Sequence, residues 1–308
     1  MASASPPAAA PEPPALTSEA LRDAISAADI RPRLEQLERI AAANGGNRAA
    51  GTAGYDASVD HVTAGLEAVG YRVERQPFTF AHGAAGQVAS VNLVAERPGV
   101  EGARVLMLGA HLDSVPERAG INDNASGSMM LLALAEGLAQ LAQPEHTVRF
   151  AFWGAEEPGL YGSSAYVDSL TVVERERLIA YLNFDMVGSP NYIRFIYDDR
   201  AAAPGSSEIT RLFADHFESA GLAWDTFDLS GKTDHAPFAA ARIPTGGLFS
   251  GGGELKTDAQ AAAFGGTAGV PADACDDAAC DTTANVNDAA LEELSDAAAD
   301  ALVRLSQD

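Results

Sequence analysis

Lysine is nearly absent: Lys232 and Lys256 are the only two in 308 residues. Acidic residues number 43 against 20 lysines and arginines, leaving a formal net charge of −23. Such a surface repels nucleic-acid phosphates and anionic lipid, so neither is expected as a partner. Long hydrophobic runs are missing too. No stretch approaches the ~20 apolar residues of a membrane span, and no membrane partner is expected. Cysteine is limited to Cys275 and Cys280. A structural zinc site normally takes four ligands, and there is no second pair to supply them. A short disulfide loop is the better reading, and it implies an oxidising compartment. Hydrophobic residues are not lacking. At 47% they allow a sizeable core in one large α/β domain or two small ones.

Residues 1–24 are expected as a disordered Ala/Pro-rich tail ahead of a single domain over 25–308. The start has neither a basic segment nor an apolar core, so it does not read as a signal peptide. Thr17 or Ser18 is placed to cap a short helix reaching residue 28. Helical spacing continues over 31–43 and 55–69. Strand-like segments at 71–80 and 88–96 suggest an edge hairpin. Buried-type strands follow at 104–110, 147–153 and 178–184, alternating with helical segments. The Gly/Ala-rich stretch 251–274 reads as a long loop, and 288–307 as a closing helix. This alternation argues for an α/β domain with a largely parallel sheet.

The stretch 105–124, VLMLGAHLDSVPERAGINDN, carries the first chemical signal. Residues at i and i+2 of a strand point the same way. His111 and Asp113 can therefore share a face, imidazole beside carboxylate, as in a metal-bound histidine with its orienting acid. Asp123 adds a further oxygen ligand able to bridge two metals. Glu156-Glu157 and Asp185 stand at the ends of the next two buried-type strands. In parallel sheets ligands gather beyond the carboxyl ends of strands. Three strands ending in potential ligands make solvated polar loops a poor explanation. One histidine among several carboxylates suits a two-metal hydrolase. In it one glutamate coordinates and its neighbour moves the proton.

The segments AHLDSV, GINDN, WGAEE, GLYGS, LNFDMVGSPN and TDHAPF occur in this order. In order and spacing they resemble metallopeptidase family M28, in particular its secreted streptomycete-type double-zinc aminopeptidases. The resemblance runs from about Asp29 to the C-terminus. It implies a zinc-exopeptidase fold, a mixed eight-stranded sheet between helices. It implies that His111 and Asp185 hold one zinc, that Asp123 bridges both, and that Glu157 binds the second. Glu156 becomes the general acid/base, and Asp113 orients His111. A cis peptide is implied at Asp123-Asn124. Met186 and Phe249 fall where relatives line the pocket for the N-terminal side chain, and Lys232 where they carry an arginine near substrate. Asp29, Glu292 and Asp296 match a calcium site of these relatives. The implied activity is release of N-terminal, apolar residues from peptides by a secreted monomer.

One segment departs from the family. Relatives carry Tyr and His after the first cysteine of the short loop; here Asp276 and Asp277 stand there. Asp277 can still ligate through oxygen. Asp276 cannot donate to an oxyanion unless protonated, and losing one such donor typically costs about 10²–10³ in rate. The added charge favours a harder cation, such as manganese, or cobalt, at the second position. It also motivates an alternative reading, a catalytically impaired relative that binds peptide or metal. A glutaminyl-cyclase-type transferase of the same fold is a third. His235, within TDHAPF, is expected to be structural.

Overall fold

A computed structural model describes residues 12–307, apart from 84, 85, 117, 199–202, 230 and 277. Eight strands form one mixed sheet: β1 (Val73–His82), β2 (Gly86–Arg97), β3 (Val105–His111), β4 (Thr147–Trp153), β5 (Leu178–Asp185), β6 (Phe195–Tyr197), β7 (Asp225–Phe227) and β8 (Thr245–Phe249). Their spatial order is β1-β2-β4-β3-β5-β8-β6-β7. The central strands β4, β3, β5 and β8 are parallel; β2 runs against both of its neighbours, and β6, parallel to β7, runs against β8. The expected mixed, largely parallel sheet is what forms.

The strands form because their side chains alternate between two apolar layers. Leu106, Leu108, Phe150 and Phe152 face the larger core. That core is filled by α2 (Ala27–Ala43), α3 (Ala53–Ala68), α4 (Gly127–Ala139) and α10 (Asp288–Gln307). Met107, Trp153 and Tyr181 face the opposite layer. There Tyr166 of α5 (Tyr161–Ser169) and Phe238 of α8 (His235–Ala240) pack on them. Phe238 stacks on Tyr181 at 3.8 Å between ring centres.

Some expectations need correction. The tail assigned to 1–24 lies outside the described residues only as far as residue 11. Beyond that, α1 (Ser18–Asp23) is a helix capped by Thr17, with Leu21 fully buried against the larger core. The separate helices at 17–28 and 31–43 become α1 and a longer α2, which Ser26 caps and which continues through Pro32. The segment 251–274 is not wholly loop. It contains α9 (Asp258–Phe264), started by a capping box of Thr257 and Gln260. Two further helices are α6 (Val172–Arg177) and the longer α7 (Ser206–Ser219).

Candidate metal centre

The carboxyl ends of β3, β4 and β5 lie side by side at the middle of the sheet. His111 ends β3, Asp185 ends β5, and Glu156-Glu157 follow β4. Asp123 arrives from a wide turn, Ile121–Ser126, which leads into α4. Two groups of ligand atoms gather here within 4.8 Å: His111 with Asp123 and Glu157, and His111 with Glu156 and Asp185. His111 Nε2 is 3.2 Å from Asp123 Oδ1 and 3.3 Å from Asp185 Oδ1. Ligand atoms around a tetrahedral cation with bonds of about 2.1 Å lie roughly 3.4 Å apart. The donor set and its spacing therefore fit a divalent ion of the zinc type.

The turn is held from several sides. Its peptide Asp123-Asn124 is cis, as the resemblance implies. Asp281 accepts the backbone N–H groups of Asn122 and Asp123 at 2.7 and 3.1 Å. Asn122 Nδ2 donates to Asp273 and to Ser189. Asn124 spans to β5, donating to Phe184 O and accepting from Met186 N–H. Gly127 permits this approach, since a Cβ there would collide with Phe184 O and the Asn124 side chain. Arg48, fully buried, donates to the carbonyls of Leu112, Ala119 and Gly120 and so ties the β3 loop to the start of the turn. Burial lowers the Arg48 guanidinium to about 10, against the pull of Asp113 and Asp281.

Asp113 differs in detail from its expected contact. His111 Nδ1 lies 3.2 Å from the backbone oxygen of Asp113 but 3.7 Å from its carboxylate. The carboxylate instead accepts the N–H groups of Glu156 and Glu157, at 3.1 and 3.4 Å. Asp113 thus holds the histidine through its main chain and the glutamate pair through its side chain.

The titration directions follow from burial and crowding. Burial opposes charge on His111, but Asp185 and Glu156 outweigh it and hold the imidazolium well above its usual range. Burial pushes Glu156 well above the carboxylate range; His111 opposes this and Asp234 reinforces it. Burial likewise raises Asp113. For Asp185 the attraction of His111 and hydrogen bonds from His111 and Thr233 overcome burial and lower it. Asp234 and Asp281 are both pushed up to about 7 by burial.

Other expected residues fall in different places. Met186 and Phe249 are buried in an apolar cluster with Ile193, Phe195 and Tyr197, next to Asp185. Lys232 is exposed, its Nζ 5.9 Å from the centre of the Phe227 ring at the rim of that cluster. Cys275 and Cys280 form a disulfide. Within their loop Asp276 Oδ2 accepts the Gly253 N–H at 3.0 Å, and Asp277 lies outside the described residues. His235 packs at 4.9 Å from the Tyr197 ring centre, and burial lowers it to about 4. Asp29, Glu292 and Asp296 are not among the described metal-binding groups of three. Instead Asp29 accepts from Ser26 and Glu292 accepts the Ala27 N–H at the start of α2.

Several supporting residues were not singled out from the sequence. Thr233 donates to Asp185 Oδ2 at 2.5 Å, and its place in TDHAPF was the available signal. Asp281 directly follows Cys280. Arg48 and Asp273 had no local signal, because their partners are far away along the chain.

Comparison with known proteins agrees with this geometry. The Peptidase family M28 profile matches residues 92–302. The chain is 46% identical over 299 residues to leupeptin-inactivating enzyme 1 of Streptomyces exfoliatus, covering 96% of this chain and 66% of that protein. It is 48% identical over 214 residues to an aminopeptidase of Pseudomonas aeruginosa, covering 68% of this chain and 40% of that one. The chain thus spans less than two thirds of the length of these relatives. Among solved structures, the aminopeptidase of Aneurinibacillus sp. strain AM-1 superposes with a TM-score of 0.78 at 17% identity, covering 94% and 96% of the two chains. A glutaminyl cyclase of Porphyromonas gingivalis gives 0.74 at 20%, covering 92% and 99%. These two likenesses speak for the fold alone. By the family profile and by the residues converging at its sheet edge, the chain belongs to peptidase family M28.

Proposed function

We propose that the chain is a metal-dependent aminopeptidase that releases N-terminal, apolar residues from peptides. The carrying observation is the convergence of two groups of ligand atoms that share His111, one with Asp123 and Glu157 and the other with Glu156 and Asp185. His111 and Asp185 would hold one divalent ion and Glu157 the other, with Asp123 between them. Zinc suits both positions, with manganese or cobalt as alternatives where Asp277 replaces a histidine. When bound, such a pair polarises the scissile carbonyl and acidifies a nearby water.

The chain's own residues do the rest. Glu156 takes a proton from water and delivers it to the departing amine. Burial raises its proton affinity above that of an ordinary carboxylate. Asp113 fixes the two glutamates through their amides, so that they keep separate tasks. The carboxylates also hold the substrate's α-amino group, which limits cleavage to one residue. Met186 and Phe249 receive the apolar side chain of that residue, and Lys232 sits at the rim. The disulfide supports action outside the reducing cytosol, by a monomer on peptide N-termini.

A second reading, a catalytically impaired relative, is favoured by Asp276. Its carboxylate is taken up by the Gly253 amide and offers no donor to an oxyanion. A rise in rate on Asp276→Tyr with Asp277→His would support impairment; no rise would refute it. The main reading is tested with leucine amide and its N-acetyl derivative. Only the free amine is expected to be cleaved, and equal cleavage of both would refute exopeptidase action.

A further inference from the structure

Two apolar regions flank the metal-ligating residues, and the mechanism uses only one. Met186 and Phe249 lie toward β5 and β8. On the other flank, toward β4 and β1, is a recess of about 90 Å³ whose lining includes Ala49, Ala50, Phe80, Val115 and Pro158. Glu157 lines it as well, so the recess is continuous with the ligand group. Topology places it there. Strand β1 is antiparallel to β2, and β2 to β4, so β1 ends at the same edge as β4. Phe80 near the end of β1 thereby reaches the loops that follow β3 and β4.

The walls are fixed. Phe80 stacks on Tyr161 at 5.0 Å between ring centres. Ser114, also in the lining, accepts the Arg48 N–H at 2.9 Å and donates to Arg118 O. Ala49 is held by the Asn47 side chain at 3.1 Å. Alanines at two wall positions leave the space open.

We propose that this recess receives an apolar side chain on the second residue of the peptide, the residue whose nitrogen departs. Given the aminopeptidase reading, on which this rests, the scissile bond lies at the ligand group. Residues on its two sides then fall on opposite flanks. The first takes the Met186–Phe249 side, and the second faces the recess beyond Glu157. Consecutive Cα atoms are only about 3.8 Å apart, so the second side chain enters the neighbouring recess without a spacer. Aliphatic and aromatic walls favour leucine or phenylalanine there over glycine.

The test compares kcat/KM for Leu-Leu, Leu-Gly and leucine amide with the zinc-loaded full chain. Leu-Leu is expected to exceed Leu-Gly by about tenfold or more, as burying added methylenes does in other apolar pockets. Ala50→Trp and Val115→Trp each fill the recess and should bring that ratio close to one. Circular dichroism and metal content establish that each variant is folded and loaded. A wild-type ratio near one, with leucine amide cleaved, would overturn the recess and leave the aminopeptidase standing. A ratio unchanged in both folded variants would also overturn it. If none of the three substrates is cleaved, the aminopeptidase reading fails and this inference fails with it.

Discussion

Replacing Asp113 by asparagine tests how the site is held. The carboxylate is fully buried and serves two backbone donors, Glu156 N–H and Glu157 N–H. Asparagine keeps the shape but has one acceptor oxygen. Its amide nitrogen must face the other N–H, donor against donor. A buried hydrogen bond to a charged group contributes about 1.5–3 kcal/mol. At about 1.4 kcal/mol per factor of ten, losing one is worth about 10–150-fold. Where the loss shows depends on the metal. Burial raises the proton affinity of Asp113, so in stripped protein asparagine also removes an unfavourable buried charge, which offsets part of the cost. In loaded protein the same charge faces cations and the offset disappears. Asp113→Asn should therefore weaken metal binding by about 10–100-fold, the usual effect of losing a group that orients ligands, with little change in the Tm of stripped protein. Chelator competition measures the first and calorimetry the second. Unchanged metal affinity would refute this account of Asp113. A large loss of Tm in stripped protein would show that its role is folding.

Glu156→Gln should lower kcat by about 10²–10⁴ with metal content retained; full activity in the loaded variant would remove Glu156 from the proton path. Phe238→Ala, which deletes the ring stacked on Tyr181, should cost about 3–5 kcal/mol in denaturant unfolding, and a loss within about 0.5 kcal/mol would mean the second layer is not a packed core. The Asp300 carboxyl is pushed up by burial, but hydrogen bonds from His216 and Ser18 outweigh this and hold it at about 2. Its folded value lies below its unfolded value of about 3.9. The contribution is therefore present above that pH and lost as pH falls toward 2. Asp300→Asn should be less stable than wild type at neutral pH, and the difference should close below about pH 2; a difference that persists there would contradict the linkage.

The candidate ligands that the fold brings together were legible in the sequence because each stands at the end of a buried-type strand or in a motif beside one. Strand period and helix spacing sufficed for β3, β4, β5 and α10. Helix α9 was missed because Ala and Gly dominate its surroundings, although Thr257 and Gln260 carried a capping signal. Helix α2 begins at Ala27, four residues before the expected segment, because Ser26 caps it there. What holds the site was largely illegible for a different reason. Arg48 meets carbonyls 64 to 72 positions away, and Asp281 meets amides 158 and 159 away. No local pattern encodes such pairs. Asp113 shows the same limit at short range. Alternation placed it beside His111, but only the fold shows its carboxylate turned to the glutamate amides.

The most direct test of the whole account is the rate of leucine p-nitroanilide hydrolysis by metal-stripped protein, titrated with Zn²⁺, Mn²⁺ or Co²⁺. Activity should be absent after stripping, return with added ion and saturate near two ions per chain, as a two-metal site requires. Full activity in stripped protein, or none with any ion in protein shown to be folded, would contradict it.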